Sequence, residues 1–223
     1  MTPPIRLFVG TDSRMGVAER ALERSVRRNT SAPVEIVWMR SGDPGWTWDM
    51  GREPGHPYPK DGKGWATDFT CFRYAVPELC GFEGRAIYLD ADMIVLGDLD
   101  DLVRLPIGPE FWAISTTRPD VIVFDCAKFD SADWPDLGTM RTSGHGFGHY
   151  HGIFAPKLGK VVPDSWDCLD GRGLSAETKL VHYTAMQSQP WKPWPERFDY
   201  DANPHRSVAA VDLFWSYAGE AEE

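Results

Sequence analysis

Residues 86–99 read AIYLDADMIVLGDL, an apolar, β-prone run that is interrupted by two carboxylates, Asp90 and Asp92. The part up to Leu89 predicts a buried strand. Side chains at positions i and i+2 of an extended segment point to the same side, so we expect both carboxylates to face one site. Two like charges at the end of a buried strand are costly unless a cation lies between them. Carboxylate oxygens suit hard divalent cations, and the stretch therefore predicts a Mn²⁺ or Mg²⁺ site.

The N-terminal part of the chain predicts a β-α-β unit. Residues 5–9 and 34–38 are β-prone runs, and residues 17–29 between them show an amphipathic helical pattern. Such a unit favours a parallel sheet, in which ligands bind at the carboxyl ends of the strands. The segment Gly10-Thr11-Asp12, interpreted as a turn, lies at such an end. We expect an α/β fold with a mixed, mostly parallel sheet flanked by helices.

Two later segments bear on the carboxylate pair. Residues 67–79 have helical spacing and carry Arg73, and they lead directly into the strand that ends at Asp90. The pattern leaves two roles open for Arg73: a surface position with a packed stem, or a reach into the phosphate or metal site. The short β-prone run at residues 179–184 contains His182, whose imidazole would complete a ligand set of two aspartates and one histidine.

The remaining segments fill out one domain. Residues 111–115 and 121–125 are interpreted as strands, and residues 130–140 and 208–217 as helices. The glycine- and histidine-rich residues 141–151 are interpreted as a loop near the substrate, since glycines separate the histidines and argue against zinc. We expect a single domain over residues 1–218 and a disordered tail at residues 219–223.

The bulk composition excludes several classes of protein. The chain has 223 residues, 42% of them hydrophobic, which is enough for one sizeable core. A formal net charge of −10 argues against nucleic-acid binding and against attraction to anionic lipid. No apolar run approaches the roughly 20 residues of a membrane span, and no signal region is recognisable at the N-terminus. The four scattered cysteines are typical of reduced thiols, so we expect a cytoplasmic protein.

Together these motifs resemble glycosyltransferase family 8. The resemblance extends from residue 5 to residue 194 and rests on five features: the first strand leading into Gly10-Thr11-Asp12; a helix with Phe69, Phe72 and Arg73; the run Tyr88-Leu89-Asp90-Ala91-Asp92; the late His182-Tyr183-Thr184; and Lys192-Pro193-Trp194. It implies the GT-A fold, which is Rossmann-like, and a retaining enzyme that uses a nucleotide sugar.

The resemblance also implies a role for each matching position. Asp90, Asp92 and His182 match the metal ligands, and Asp90 or Ala91 would also lie near the ribose of the donor. Arg73 matches the basic residue that faces the donor, and Lys192 is the candidate for a diphosphate contact. The residues that match the uridine-binding segment are Val9, Gly10, Thr11 and Asp12.

The sequence departs from the family pattern in two places. The end motif of the family has glycine three residues and lysine six residues after the histidine, where this chain has Ala185 and Ser188. The family also tends to have an Asp-Gln pair before that histidine, and no such pair lies between Asp92 and His182. The residue beside the anomeric carbon, and with it the catalytic residue, therefore stays unassigned.

The function expected from the sequence is that of a metal-dependent retaining glycosyltransferase. It would move a hexose from a UDP-sugar to a small or glycan acceptor, with no nucleic-acid partner, and a homo-oligomer is left open. One alternative is a sugar-nucleotide pyrophosphorylase, which would need a glycine-rich phosphate loop with a basic residue soon after the first strand. The other is a non-catalytic carbohydrate-binding protein, which would not need the Asp/Asp/His set.

Overall fold

The computed structural model describes residues 3–49, 67–109, 112–114, 119–129, 132, 134–145, 147–159, 161–191 and 203–219. The strands are β1 (Ile5–Asp12), β2 (Val34–Ser41), β3 (Arg85–Asp90), β4 (Met93–Val95), β5 (Trp112–Ile114), β6 (Ile122–Asp125), β7 (Leu158–Gly159), β8 (Cys168–Leu169) and β9 (Leu180–His182). The helices are α1 (Gly16–Asn29), α2 (Val76–Leu79), α3 (Leu99–Val103), α4 (Leu137–Thr142), α5 (Phe147–Phe154) and α6 (Val208–Ala218).

The strands of the described part form two sheets. The larger sheet has the order β2-β1-β3-β6-β5-β7, and the smaller one has the order β4-β9-β8. In the larger sheet β1 is parallel to β2 and β3, and β5 is parallel to β7, whereas β6 is antiparallel to β3 and β5. The expected α/β fold with a mixed, mostly parallel sheet is confirmed.

The first strand is longer than the sequence pattern predicts. The segment Gly10-Thr11-Asp12 was expected to form a turn, but it continues β1 and pairs in register with the end of β2, up to Asp12 opposite Ser41. Gly10 also pairs with Asp90 at the end of β3. Beyond Gly10 the pairing with β2 supplies backbone hydrogen bonds, so the strand continues to its last polar residue.

Alternation along the central strands divides the core between the two faces of the sheet. Leu7 and Val9 pack on the face covered by α1 and α6, and Phe8 and Tyr88 pack on the opposite face. The second face is covered by the six-residue 3₁₀ segment Thr70–Ala75 and by α2, where the sequence predicted one continuous helix. This alternation follows from the two-residue repeat of a strand.

The glycine- and histidine-rich residues 141–151 were expected to form a loop, and this expectation was wrong, because α5 begins at Phe147. Aromatic packing explains the helix. The ring of Phe154 lies 3.7 Å from that of Trp134, and the ring of Tyr150 lies 5.8 Å from that of Tyr74, measured between centroids. Burial of these rings outweighs the weak helix propensity of glycine.

The helices α4 and α6 lie close to the two helices that the sequence predicts in the C-terminal half of the chain. The helix expected at residues 130–140 is α4, which begins after Asp136, whose carboxylate accepts a hydrogen bond from the Thr139 amide. The closing helix is α6, one residue longer than expected. Residues 220–223 of the expected tail lie outside the described residues. None of the described helices is long and apolar enough to cross a bilayer.

Gly10 is expected to tolerate no side chain. A β-carbon there would overlap the Tyr88 hydroxyl and lie 3.1 Å from the Phe69 ring. Gly10→Ala should therefore lower the free energy of unfolding by about 1–3 kcal/mol, measured by urea denaturation. Gly16→Ala is the matched control, because its β-carbon would meet only the Arg20 guanidinium at 3.9 Å. Equal unfolding midpoints for the two variants would contradict the tight packing of Gly10.

Candidate active site

The two sheets bring Asp90, Asp92 and His182 together. Asp90 is the last residue of β3, and Asp92 immediately precedes β4. Since β4 pairs antiparallel with β9, Met93 lies opposite His182, and the Tyr183 amide donates to the Asp92 carbonyl at 2.9 Å. One ligand atom from each of the three side chains lies within 4.8 Å of the others. The structure thus unites residues that are about 90 positions apart in the chain.

The arrangement leaves buried polar atoms without hydrogen bonds. Asp92 Oδ1 lies 3.3 Å from His182 Nε2, yet Asp92 Oδ1 makes no well-formed hydrogen bond to any described residue. His182 is only 3% exposed and Asp90 is 7% exposed. A buried carboxylate oxygen without a partner is costly, and a bound cation would satisfy it. The donor set of two carboxylates and an imidazole therefore fits Mn²⁺ or Mg²⁺.

Arg73 is buried beside the carboxylate pair. Its Nη2 lies 3.1 Å from both oxygens of Asp90, and its Nη1 lies 3.1 Å from Asp120 and donates to the Pro119 carbonyl. The Tyr88 hydroxyl donates to Asp90 Oδ1 at 2.6 Å. Of the two roles left open by the sequence, the structure therefore places Arg73 inside the site, as the counter-ion of Asp90.

Negative charge exceeds positive charge around His182. The Nδ1 atom of His182 lies 3.9 Å from carboxylate oxygens of both Asp120 and Asp167. Together with the carboxylate pair, these two acids outnumber the guanidinium of Arg73. Burial raises the pKa of Asp90 to about 6, although Arg73 opposes this shift. Burial alone would lower the pKa of His182, but Asp92 and its neighbours raise it well above its usual value. A cation would relieve this excess.

The residues expected to hold uridine lie at the adjacent end of β1, with their side chains turned inward. Val9 and Thr11 are fully buried, and Thr11 Oγ1 donates to Glu19 at 2.7 Å. Asp12 accepts hydrogen bonds from the amide, Nε and Nη2 of Arg14 at 2.9, 3.0 and 2.6 Å.

Arg14 follows β1 by two residues, and its side chain is 29% exposed. Sequence reasoning did not assign it to the site. Its position two residues after Asp12 was the only signal.

Ala185 and Ser188, where the sequence departs from the family pattern, lie in the segment that follows His182. Ala185 donates its amide to Asp170 Oδ1 at 3.0 Å, and Ser188 closes the 3₁₀ turn Met186–Ser188. Lys192, the candidate for the diphosphate contact, lies outside the described residues. Sequence reasoning also missed Asp120, Asp167 and Gln189, because no local pattern marks residues that reach the site only through folding.

A cavity of about 320 Å³ adjoins this segment. It lies where β8 and β9 end side by side, and Ser188 in its wall directly precedes Gln189, which bonds to Asp92. It is lined by Asp170, Arg172, Ala185, Gln187, Ser188, Asn203, Pro204, His205 and Arg206. The cavity therefore lies one residue along the chain from a side chain that contacts Asp92.

Comparison of sequences supports the resemblance to this family. Residues 59–147, which include Arg73, Asp90 and Asp92, match the family described as "Glycosyl transferase family 8". Protein CDI from Arabidopsis thaliana is 25% identical over 219 residues, which cover 84% of this chain and 80% of that protein. The resemblance inferred from the sequence motifs is confirmed.

Solved glycosyltransferases share the fold at low sequence identity. The galactosyltransferase LgtC, solved with donor and acceptor sugar analogs, has a TM-score of 0.62 and 13% identity, and the match covers 96% of this chain and 95% of LgtC. The bifunctional glycosyltransferase WbbM gives 0.64 and 14%, and GlyE from Streptococcus pneumoniae TIGR4 gives 0.61 and 17%. This chain is matched over 99% and 98% but spans only 51% of WbbM and 60% of GlyE. The shared architecture is the GT-A fold.

Proposed function

We propose that this chain, which has the GT-A fold, is a family 8 glycosyltransferase that moves a hexose from a UDP-sugar to an acceptor with retention and with the help of a divalent metal. The observation that carries the proposal is the cluster of Asp90, Asp92 and His182, whose ligand atoms lie within 4.8 Å of one another at the carboxyl end of β3. In α/β sheets ligands bind at such ends.

The metal would be held by Asp90, Asp92 and His182. When bound, Mn²⁺ or Mg²⁺ would neutralise the charge on the diphosphate that leaves with the nucleotide. Arg73 Nη2 contacts both oxygens of Asp90, and so restrains the orientation of one ligand. The protein itself contributes placement of donor and acceptor and electrostatic stabilisation.

The donor would lie along the end of β1. The proposed uridine contacts are the backbone of Val9, Gly10, Thr11 and Asp12, because their side chains face inward or are bonded internally. We add Arg14, which Asp12 holds rigidly at this strand end. Ala91 is proposed near the ribose and Lys192 at the diphosphate. We assign no nucleophile, and retention follows from the family.

We also propose an acceptor class and a cellular location. The acceptor is a small molecule or a glycan, and the cavity of about 320 Å³ beside residues 185–188 would offer it space. The four cysteines, all among the described residues, are buried and form no disulfide, which favours a reducing compartment. We therefore propose a cytoplasmic location.

The test measures release of UDP from a panel of UDP-hexoses, with and without Mn²⁺. We expect slow hydrolysis of at least one donor that depends on Mn²⁺ and stops in EDTA. A parallel reaction with UTP and a hexose 1-phosphate tests for a pyrophosphorylase, and formation of pyrophosphate there would contradict the proposal. Binding of sugars with no turnover of any donor would instead favour a carbohydrate-binding protein.

A further inference from the structure

Gln189 is a buried amide that contacts the carboxylate pair. It is 1% exposed, and its Nε2 donates to Asp92 Oδ2 at 3.1 Å and to the Tyr183 carbonyl at 2.7 Å. Both partners can only accept hydrogen bonds. The opposite orientation of the amide would place Gln189 Oε1 against two acceptors, so the contacts themselves determine which way the amide points.

These contacts connect Asp92 to the residues that follow β9. The Tyr183 amide donates to the Asp92 backbone carbonyl, and the Tyr183 carbonyl accepts the Gln189 amide that binds the Asp92 side chain. The main chain and the carboxylate of Asp92 are thus both tied to the end of β9. With Oδ2 held by Gln189, Oδ1 is left facing His182 Nε2 at 3.3 Å.

We propose that Gln189 is a positioning residue that fixes the Asp92 carboxylate in the orientation required to bind the cation. This inference rests on the proposed function, since it concerns the same metal site. Partners that orient a ligand are known to contribute substantially to metal affinity in proteins, because a ligand that can rotate must be ordered when the metal binds.

The neutrality of the amide is part of the inference. Arg73 already neutralises Asp90 through two 3.1 Å contacts. A second cationic side chain at position 189 would neutralise Asp92 in the same way and would compete with the cation. Glutamine satisfies Oδ2 and leaves the negative charge of Asp92 available.

The experiment measures Mn²⁺ affinity directly, by the loss of the electron paramagnetic resonance signal of free Mn²⁺, without donor or acceptor. Gln189→Met keeps the length of the side chain and removes the donor, and we expect Mn²⁺ affinity about 10- to 100-fold weaker than in the wild type. Gln189→Lys should weaken it at least as much. Ser216→Ala is the control, because the Ser216 hydroxyl is exposed and bonds to the carbonyl of Leu213 within α6.

The variants also separate positioning from a general loss of stability. In an Asp92→Ala background, Gln189→Met should cause no further loss of Mn²⁺ affinity, although the lost bond to the Tyr183 carbonyl should lower the melting temperature. If Gln189→Met does not fold, Gln189→Asn withdraws the donor with a smaller change and should show the same weakening. Wild-type affinity in the folded Gln189 variants would overturn the inference. Absence of saturable Mn²⁺ binding by the wild type would instead overturn the proposed function.

Discussion

Asp92→Asn should reduce Mn²⁺-dependent transfer by at least about 100-fold, because metal assistance is worth several kcal/mol and about 1.4 kcal/mol corresponds to a factor of ten. The substitution preserves the shape of the side chain but removes the charge nearest to His182, at 3.3 Å. The fold should survive, since the change removes one of four carboxylates that crowd a buried site. The measurement is the initial rate of UDP release at saturating Mn²⁺, together with a thermal melt.

Asp101→Asn serves as the control for this variant. Its carboxylate is 66% exposed and pairs only loosely with Lys179, at 3.4 Å. We expect wild-type rates from it. If Asp92→Asn retained wild-type activity and wild-type dependence on Mn²⁺, Asp92 would not be a ligand and the proposed site would have to be abandoned.

Arg73→Met should destabilise the protein more than either Gly10→Ala or Asp92→Asn. Arg73 is 2% exposed and is the counter-ion of Asp90 and Asp120. Removing one partner of a buried ion pair leaves uncompensated charge and costs about 3–5 kcal/mol. For a chain of this size the loss corresponds to a decrease in Tm of roughly 6–20 °C. The melt is recorded in EDTA, so that no bound cation offsets the lost positive charge.

Arg27→Met is the matched control for the loss of an arginine. The Arg27 side chain is 52% exposed and its ion pair with Glu23 lies at the surface of α1. Its loss should cost less than about 1 kcal/mol. Arg73→Lys keeps the charge but has only one nitrogen, so it cannot contact Asp90 and Asp120 through separate nitrogens as the guanidinium does. It should therefore melt between Arg73→Met and the wild type. A melt of Arg73→Met within about 2 °C of the control, roughly the shift expected for 1 kcal/mol, would show that the guanidinium does not stabilise the site.

Much of the fold was predictable because its signals are local. The β-prone runs and the amphipathic helix between them are written in consecutive residues, and they locate β1, α1 and β2. The same holds for the apolar run that ends at Asp90, which forms β3. The expectation that Asp90 and Asp92 face one site agrees with the cluster seen in the structure, although Asp92 lies beyond the end of the strand.

The rest of the site could not be predicted from local patterns. The strands of the smaller sheet have only two or three residues each, too few to show a repeat. Asp120, Asp167 and Gln189 approach the carboxylate pair through non-local pairing that depends on the whole fold. His182 was linked to the pair because the two carboxylates called for a further ligand and because the family resemblance implied one, not because of its own sequence surroundings. The helix α5 depends on distant aromatic partners such as Trp134.

The candidate ligands belong to different sheets: Asp90 ends a strand of the larger sheet, and His182 ends a strand of the smaller one. A ligand that binds both side chains at once therefore links the two sheets. By thermodynamic linkage, contact between the sheets strengthens ligand binding by the same free energy by which the bound ligand stabilises that contact. A ligand that binds both side chains therefore also stabilises the folded protein.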